Sequence, residues 1–236
     1  LHKFRALYSE RELADVRDFY IHVEKTYFDD LTAYLKKELD VRASITGIGG
    51  FPKPEDVTAQ ESADYIDAHG YWDHPHFPRA GWNKDDFRIH DKSMLRDSKL
   101  GMIGAWEKIP PLEKPLTISE WRHCYPNRFA YETPVLMAAK ARENGWAGLF
   151  EFAFSHGWEG QPRLDSVTSY FDSIANVQQL LLGSVGSRIL QAADAVEASV
   201  RDGILRVDSA RVKGAVGSIA GRPITLGPLT FTSQED

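Results

Sequence analysis

Cysteine is nearly absent: Cys124 is the only one in 236 residues. That excludes an internal disulfide and any zinc site built from cysteines, and it leaves the redox compartment open. Long apolar runs are missing as well. Charges interrupt every apolar window well short of the ~18 residues a spanning helix needs, and the opening LHKFRALYSE has no signal-peptide core, so no membrane partner is expected. Nor is there a polybasic stretch. The 28 basic and 34 acidic residues are spread along the chain for a net charge of -6, which argues against nucleic acid as a partner. No repeat of fixed period and no low-complexity segment occurs. The 42% of apolar and 26% of charged residues fit one large domain, or one domain with an appendage. Starting at Leu1 without an initiator methionine and running straight into a helical pattern, the chain reads as an internal piece of something longer.

Residues 9–39 open on a Ser9 to Glu12 capping box. They then place Leu13, Val16, Phe19, Tyr20, Val23, Tyr27, Leu31, Tyr34 and Leu35 at three- and four-residue steps, the signature of a long amphipathic helix. VRASITGIGG follows as a short β-like run ending in glycines, and SADYIDAHGYW as a second strand with a polar, aromatic finish. After a loop over 73–114 comes the strand LTISEW. A helix across YETPVLMAAKARENGW is then closed by Gly145, and WAGLFEFAFSHGW is nearly continuous in apolar residues, as in a parallel strand buried on both faces. A last helix is expected over roughly 172–200. Beyond it, glycine- and proline-punctuated β runs are too few to enclose a core of their own. Strands alternating with helices predict an α/β layout with parallel strands.

In such folds ligands bind beyond the carboxyl ends of the strands. His69, Tyr71, Glu120, Ser155 and His156 all fall at predicted strand ends. Retaining glycoside hydrolysis needs two carboxyl groups ~5 Å apart, one as nucleophile and one as acid then base. Glu120 suits the nucleophile, with a phenol such as Tyr71 to keep it ionised and aimed. The plainer reading pairs Glu120 with Arg122 or a lysine. His69 lies two residues before Tyr71, so both side chains face one side of a strand. By itself, such a histidine is more often an interior group satisfied by its neighbours.

HGYWDHPHFPRAGW holds two competing readings. His69, Asp73, His74 and His76 could supply metal ligands, although no HExxH-like spacing supports this and the prolines splay the side chains. Sugar binding would use exposed aromatic faces beside polar edges. Trp72, Trp82, Trp106, Trp121, Tyr125 and Trp158 sit in or beside loops on the strand-end side, whereas Trp146 reads as core. Glu151 in the fourth strand could point inward as an auxiliary acid or outward to a helix base; periodicity leaves both open.

YIDAHGYWDHPHF, PLTISEWRHCYPNRFAYETPVL and NGWAGLFEFAFSHGW together resemble the sixth, seventh and eighth strands of clan A glycoside hydrolases, particularly family 5-like, cellulase-type proteins. The resemblance covers about residues 10–180. It implies a (β/α)8 TIM barrel of which residues 1–200 form the C-terminal half, about strands 5–8, with 201–236 beginning a β-rich domain. It also implies a retaining mechanism without cofactor: Glu120 as nucleophile, His69 and Tyr71 orienting it, and Trp72, Trp82, Trp121, Arg122, His156 and Trp158 around the carbohydrate. Two features depart from the pattern. Arg122 stands where such relatives commonly carry asparagine, and no Asn-Glu pair ends a strand to supply the acid/base glutamate. The expected partners are therefore a carbohydrate and either another chain or the missing N-terminal half of the barrel. A secreted or periplasmic location is what the resemblance implies. Two other classes remain: a carbohydrate-binding protein without catalysis, and a metal-dependent hydrolase using the histidines.

Overall fold

The computed structural model describes residues 6–50, 52–83, 85–109, 113–156, 169–174, 176–192, 197–201, 204–208, 215–219, 222–225 and 229–232. Their contacts group into two compact units, residues 1–68 with 109–117, and residues 69–108 with 118–236.

In the first unit, α1 spans Glu10–Ala33 and runs on as a π-helical turn over Tyr34–Glu38. The capping box forms as the sequence predicts: Glu12 N donates to Ser9 Oγ at 3.3 Å and Ser9 N to Glu12 Oε2 at 2.8 Å. The face that α1 turns inward differs from the expected one. Leu13, Ile21, Phe28 and Leu35, spaced eight, seven and seven residues apart, are half-buried, while Phe19, Tyr20, Val23, Tyr27, Leu31 and Tyr34 stay exposed. The helix is apolar on two sides and only one is covered. A short α2, Pro54–Ala59, was not evident from periodicity; Pro54 opens it, and Lys53 N donates to Asp56 Oδ2 at 2.8 Å.

VRASITGIGG does not form the expected strand. It is held by side chains in place of a ladder: Ile48 N donates to Gln60 Oε1 at 2.7 Å, and Ile45 N to Asp64 Oδ2 at 2.8 Å. At Gly47 a Cβ would come within 2.6 Å of Gln60, so glycine is what lets that side chain in. Lys114 Nζ donates to the carbonyls of Glu61 and Ala63.

The central sheet has the order β1-β2-β3, with β1 Ile66–Trp72, β2 Leu116–His123 and β3 Gly148–Glu151. β1 and β2 begin in the first unit and end in the second. Ile66 N bonds to Pro115 O near their starts and Cys124 N to Trp72 O at their ends, so the two strands advance together, in parallel. Among the described residues this sheet has three strands, in a mixed α/β arrangement. β3 is shorter than its apolar run suggests. Phe152 N still reaches Trp121 O on β2 at 3.2 Å, and beyond it the backbone bonds to a loop, Ala153 N to Phe171 O at 3.0 Å and Ser173 N to Ala153 O at 3.1 Å.

α4, Glu132–Asn144, ends on Gly145 in the left-handed region at φ +66. Val135, Leu136 and Met137 on successive faces are fully buried, as are Ala139 and Ala141. Each large apolar side chain so buried contributes about 1.5–3 kcal/mol. At the start of the helix the Glu132 carboxylate accepts from Ser93 Oγ at 2.7 Å, Met94 N at 2.9 Å and Leu95 N at 3.1 Å, which stitches the long β1–β2 connection to α4. Within that connection lies α3, Met102–Trp106, whose Trp106 meets Trp146 edge-on at 5.6 Å.

α5 covers Val177–Leu190, not 172–200: Asn176 caps it, with Gln179 N on Asn176 Oδ1 at 3.1 Å. Residues 197–201 instead begin β4, Glu197–Arg201. β4, β5 (Ile204–Asp208) and β8 (Leu229–Thr232) form an antiparallel sheet, and β6 (Ala215–Ile219) pairs with β7 (Arg222–Thr225). Among the described residues no helix is long and apolar enough to cross a membrane.

Candidate active site

The site grows from the carboxyl ends of β1 and β2. His69 and Tyr71, two apart on β1, present their side chains on one face, toward Glu120 near the end of β2. The Tyr71 hydroxyl donates to Glu120 Oε2. His69 Nδ1 lies 3.6 Å from the same oxygen, and its Nε2 is hydrogen-bonded to Ser119 Oγ at 2.8 Å. Both contacts fall on Oε2 of a one-third exposed carboxylate. Burial, and then the bond to Glu120, raise the Tyr71 pKa far above the usual phenol value, so this group stays a proton donor at every working pH.

Around this pair lies an aromatic cluster. Tyr71 is 4.8 Å from Phe171 between ring centroids, and Phe152, His156 and Tyr170 pack about the same Phe171 ring. Cys124, fully buried, sits among them, and burial pushes its thiol up to about 12. His156 is fixed by a buried carboxylate: its N donates to Asp172 Oδ1 at 2.9 Å, and its Nδ1 lies 2.6 Å from that oxygen.

The expected sugar-contacting residues separate into three groups. Trp82 is 67% exposed and packs against His74 and Phe77, with its backbone at φ +65. Trp72 donates from Nε1 to Lys92 O at 2.7 Å and lies so close to Gly101 that a Cβ there would come within 2.4 Å of the indole. It anchors a loop.

Arg122 and Trp121 require correction. Arg122 is fully buried and cannot reach a ligand: it pairs with Glu151 and donates to Asp172 O and to Gln179 Oε1. Trp121 is buried too, on β2 between its neighbours. Alternation along β2 sends Arg122 to the same side as Glu120, where its length lets it reach Glu151 on β3 and Gln179 on α5. The same contact settles Glu151, which faces the arginine of the adjoining strand. Trp158 lies outside the described residues.

The histidine-rich stretch does not converge. Asp73 accepts from His90 N, Asp91 N and Asn127 Nδ2 at 2.7–2.8 Å, His69 turns to Glu120, and His74 lies edge-on to Tyr71. Among the described residues, no three metal-ligating side chains gather.

Ser119, Asp172 and the Asp73–Asn127 link were not singled out in the sequence. Alternation assigns Ser119 and Glu120 to opposite faces, so nothing in the spacing foretold that one imidazole would reach both. Asp172 lies in a loop and meets His156 across sixteen residues of chain.

No known family matches the sequence, and no curated protein does. Among solved structures the chain is similar to one described as "Crystal structure of the GH39 enzyme from Xanthomonas axonopodis pv. citri", at 15% identity and a TM-score of 0.43, over 77% of this chain and 41% of that one. The chain thus spans about two fifths of that protein's length, and a likeness this slight carries no argument about activity.

Proposed function

We propose that the chain is the C-terminal half of a retaining glycoside hydrolase acting on a β-linked oligo- or polysaccharide. In this reading residues 1–200 belong to a (β/α)8 barrel and 201–236 begin a β-rich domain. The observation that carries it is the convergence of Tyr71 and His69 on one oxygen of Glu120 at the ends of adjoining parallel strands. Glu120 Oε1 attacks the anomeric carbon, the bond to the leaving oxygen breaks, and a glycosyl ester forms; water later displaces the carboxylate. Tyr71 and His69 hold Oε2 so that Oε1 is aimed. The proton for the leaving group comes from a carboxyl group outside these residues, supplied by another chain or by the remainder of the barrel.

A leaving group that departs without a proton separates the nucleophile from the missing acid. A panel of dinitrophenyl 2-deoxy-2-fluoro-β-glycosides should label the protein on the peptide containing Glu120, and Glu120→Gln should abolish the label. Labelling by no member of the panel, or equal labelling of the variant, overturns the assignment. On unactivated polysaccharide the chain alone should release no sugar; hydrolysis that disappears in Glu120→Ala would show that the acid is present after all.

Trp82 favours a second reading, a carbohydrate-binding protein without catalysis, because its exposed ring braced by His74 and Phe77 offers a stacking surface. Saturable sugar binding that survives Glu120→Gln, with no labelling of the parent protein, would select it.

A further inference from the structure

No residue of the exposed side of α1 takes part in the Glu120 contacts. Phe19, Tyr20, Val23, Tyr27, Leu31 and Tyr34 are exposed by 61, 59, 48, 60, 38 and 53% and fall on one stripe of the helix. A helix with apolar residues on two sides is covered on both in its working state. We infer that this stripe is a homodimer contact, in which α1 of one copy packs antiparallel on α1 of a second copy about a two-fold axis through Tyr27.

The order of the stripe is what selects a second copy. Tyr20, Val23, Tyr27, Leu31 and Tyr34 are spaced three, four, four and three residues apart, so the stripe reads alike in both directions. Under a two-fold axis at Tyr27, Tyr20 meets Tyr34 of the other copy, Val23 meets Leu31, and Tyr27 meets itself. A two-fold interface must be self-complementary in just this manner.

Charge fixes the direction. Glu12, Asp15 and Asp18 lie in the first turns of α1, and Lys37 in the π-helical turn at its other end. Antiparallel copies bring Lys37 of one toward Asp15 of the other, whereas parallel copies stack like on like. The area suffices. At about 200 Å² for an aromatic side chain, the stripe offers roughly 600 Å² per copy and roughly 1,200 Å² per pair, the lower bound of a stable interface. With residues this aromatic, the contact has the composition of an interface core.

Sedimentation equilibrium of the full chain should give twice the chain mass, falling to one chain mass in Tyr27→Glu, whose 60% exposed site lets the fold persist by circular dichroism. Cysteine cross-linking reads the geometry directly, since the single native Cys124 is buried. Oxidation should link Val23→Cys to Leu31→Cys when the two variants are mixed, and Tyr27→Cys to itself. A monomer at all concentrations, a dimer indifferent to Tyr27→Glu, or Val23→Cys linking to itself as readily as to Leu31→Cys would each overturn the inference. None of these outcomes bears on Glu120 labelling.

Discussion

His123 follows Arg122 on β2 and shows what burial does to a single titratable group. Its Nδ1 is 2.6 Å from Thr133 Oγ1, it is fully enclosed, and burial drives its pKa down to about 3. In the unfolded chain the imidazole titrates near about 6.5. Between these values the unfolded state binds a proton that the folded state refuses, so stability falls as pH drops through that window and is complete above it. The slope is at most about 1.4 kcal/mol per pH unit from this group. Urea unfolding between about pH 4 and pH 7 should show it, and His123→Gln should flatten the curve. An unchanged slope in the variant would assign the loss to other groups. Arg122 beside it is a different case. Its buried charge is answered by Glu151, Gln179 and a backbone carbonyl, so it acts as an internal tie between β2, β3 and the start of α5.

Among the elements, α4 and α5 are set by a close approach. At Gly186 of α5 a Cβ would come within 2.5 Å of Pro134 O on α4, and backbone cannot yield as a flexible side chain can. Gly186→Ala should therefore destabilise the fold by about 1–3 kcal/mol, the usual cost of overpacking, whereas Gly183→Ala, with open space around it, should be neutral or slightly stabilising. Thermal unfolding of the pair of variants reads the difference. The elements were legible where a local signal existed: the Ser9–Glu12 box, the Gly145 cap, and the runs SADYIDAHGYW and LTISEW, the second of which the structure carries on to His123. They were illegible where long-range partners decide. VRASITGIGG has strand composition but is claimed by the side chains of Gln60 and Asp64, and WAGLFEFAFSHGW loses its ladder to the loop at 171–174. The candidate site divides similarly. Strand alternation placed His69, Tyr71 and Glu120 together, while the inward course of Arg122 depends on an acceptor on another strand.

For the whole molecule the unusual quantity is apolar surface, not charge. Besides the α1 stripe, Phe150 on β3 and Phe154 just beyond it are 60% and 58% exposed, and among the described residues β3 is an edge of a parallel sheet, a position such sheets normally cover. Association driven by such surface responds to salt opposite to an ion pair. Chloride at high concentration should leave the α1 dimer nearly intact, and sulfate should tighten it. Dissociation on adding chloride, followed by sedimentation, would identify the contact as ionic. The two apolar areas lie on separate units, so variants at Tyr27 and at Phe150 can be interpreted independently.

The bond from Tyr71 to Glu120 also limits what can approach from outside. A phenol has one hydrogen, and here it is committed to the carboxylate. Any visitor reaching that oxygen finds only lone pairs, and must bring a hydrogen of its own. Hydroxyl and amide N–H groups are welcomed on that side, while ethers, esters and carboxylates are turned away, a chemical filter set by the direction of one proton.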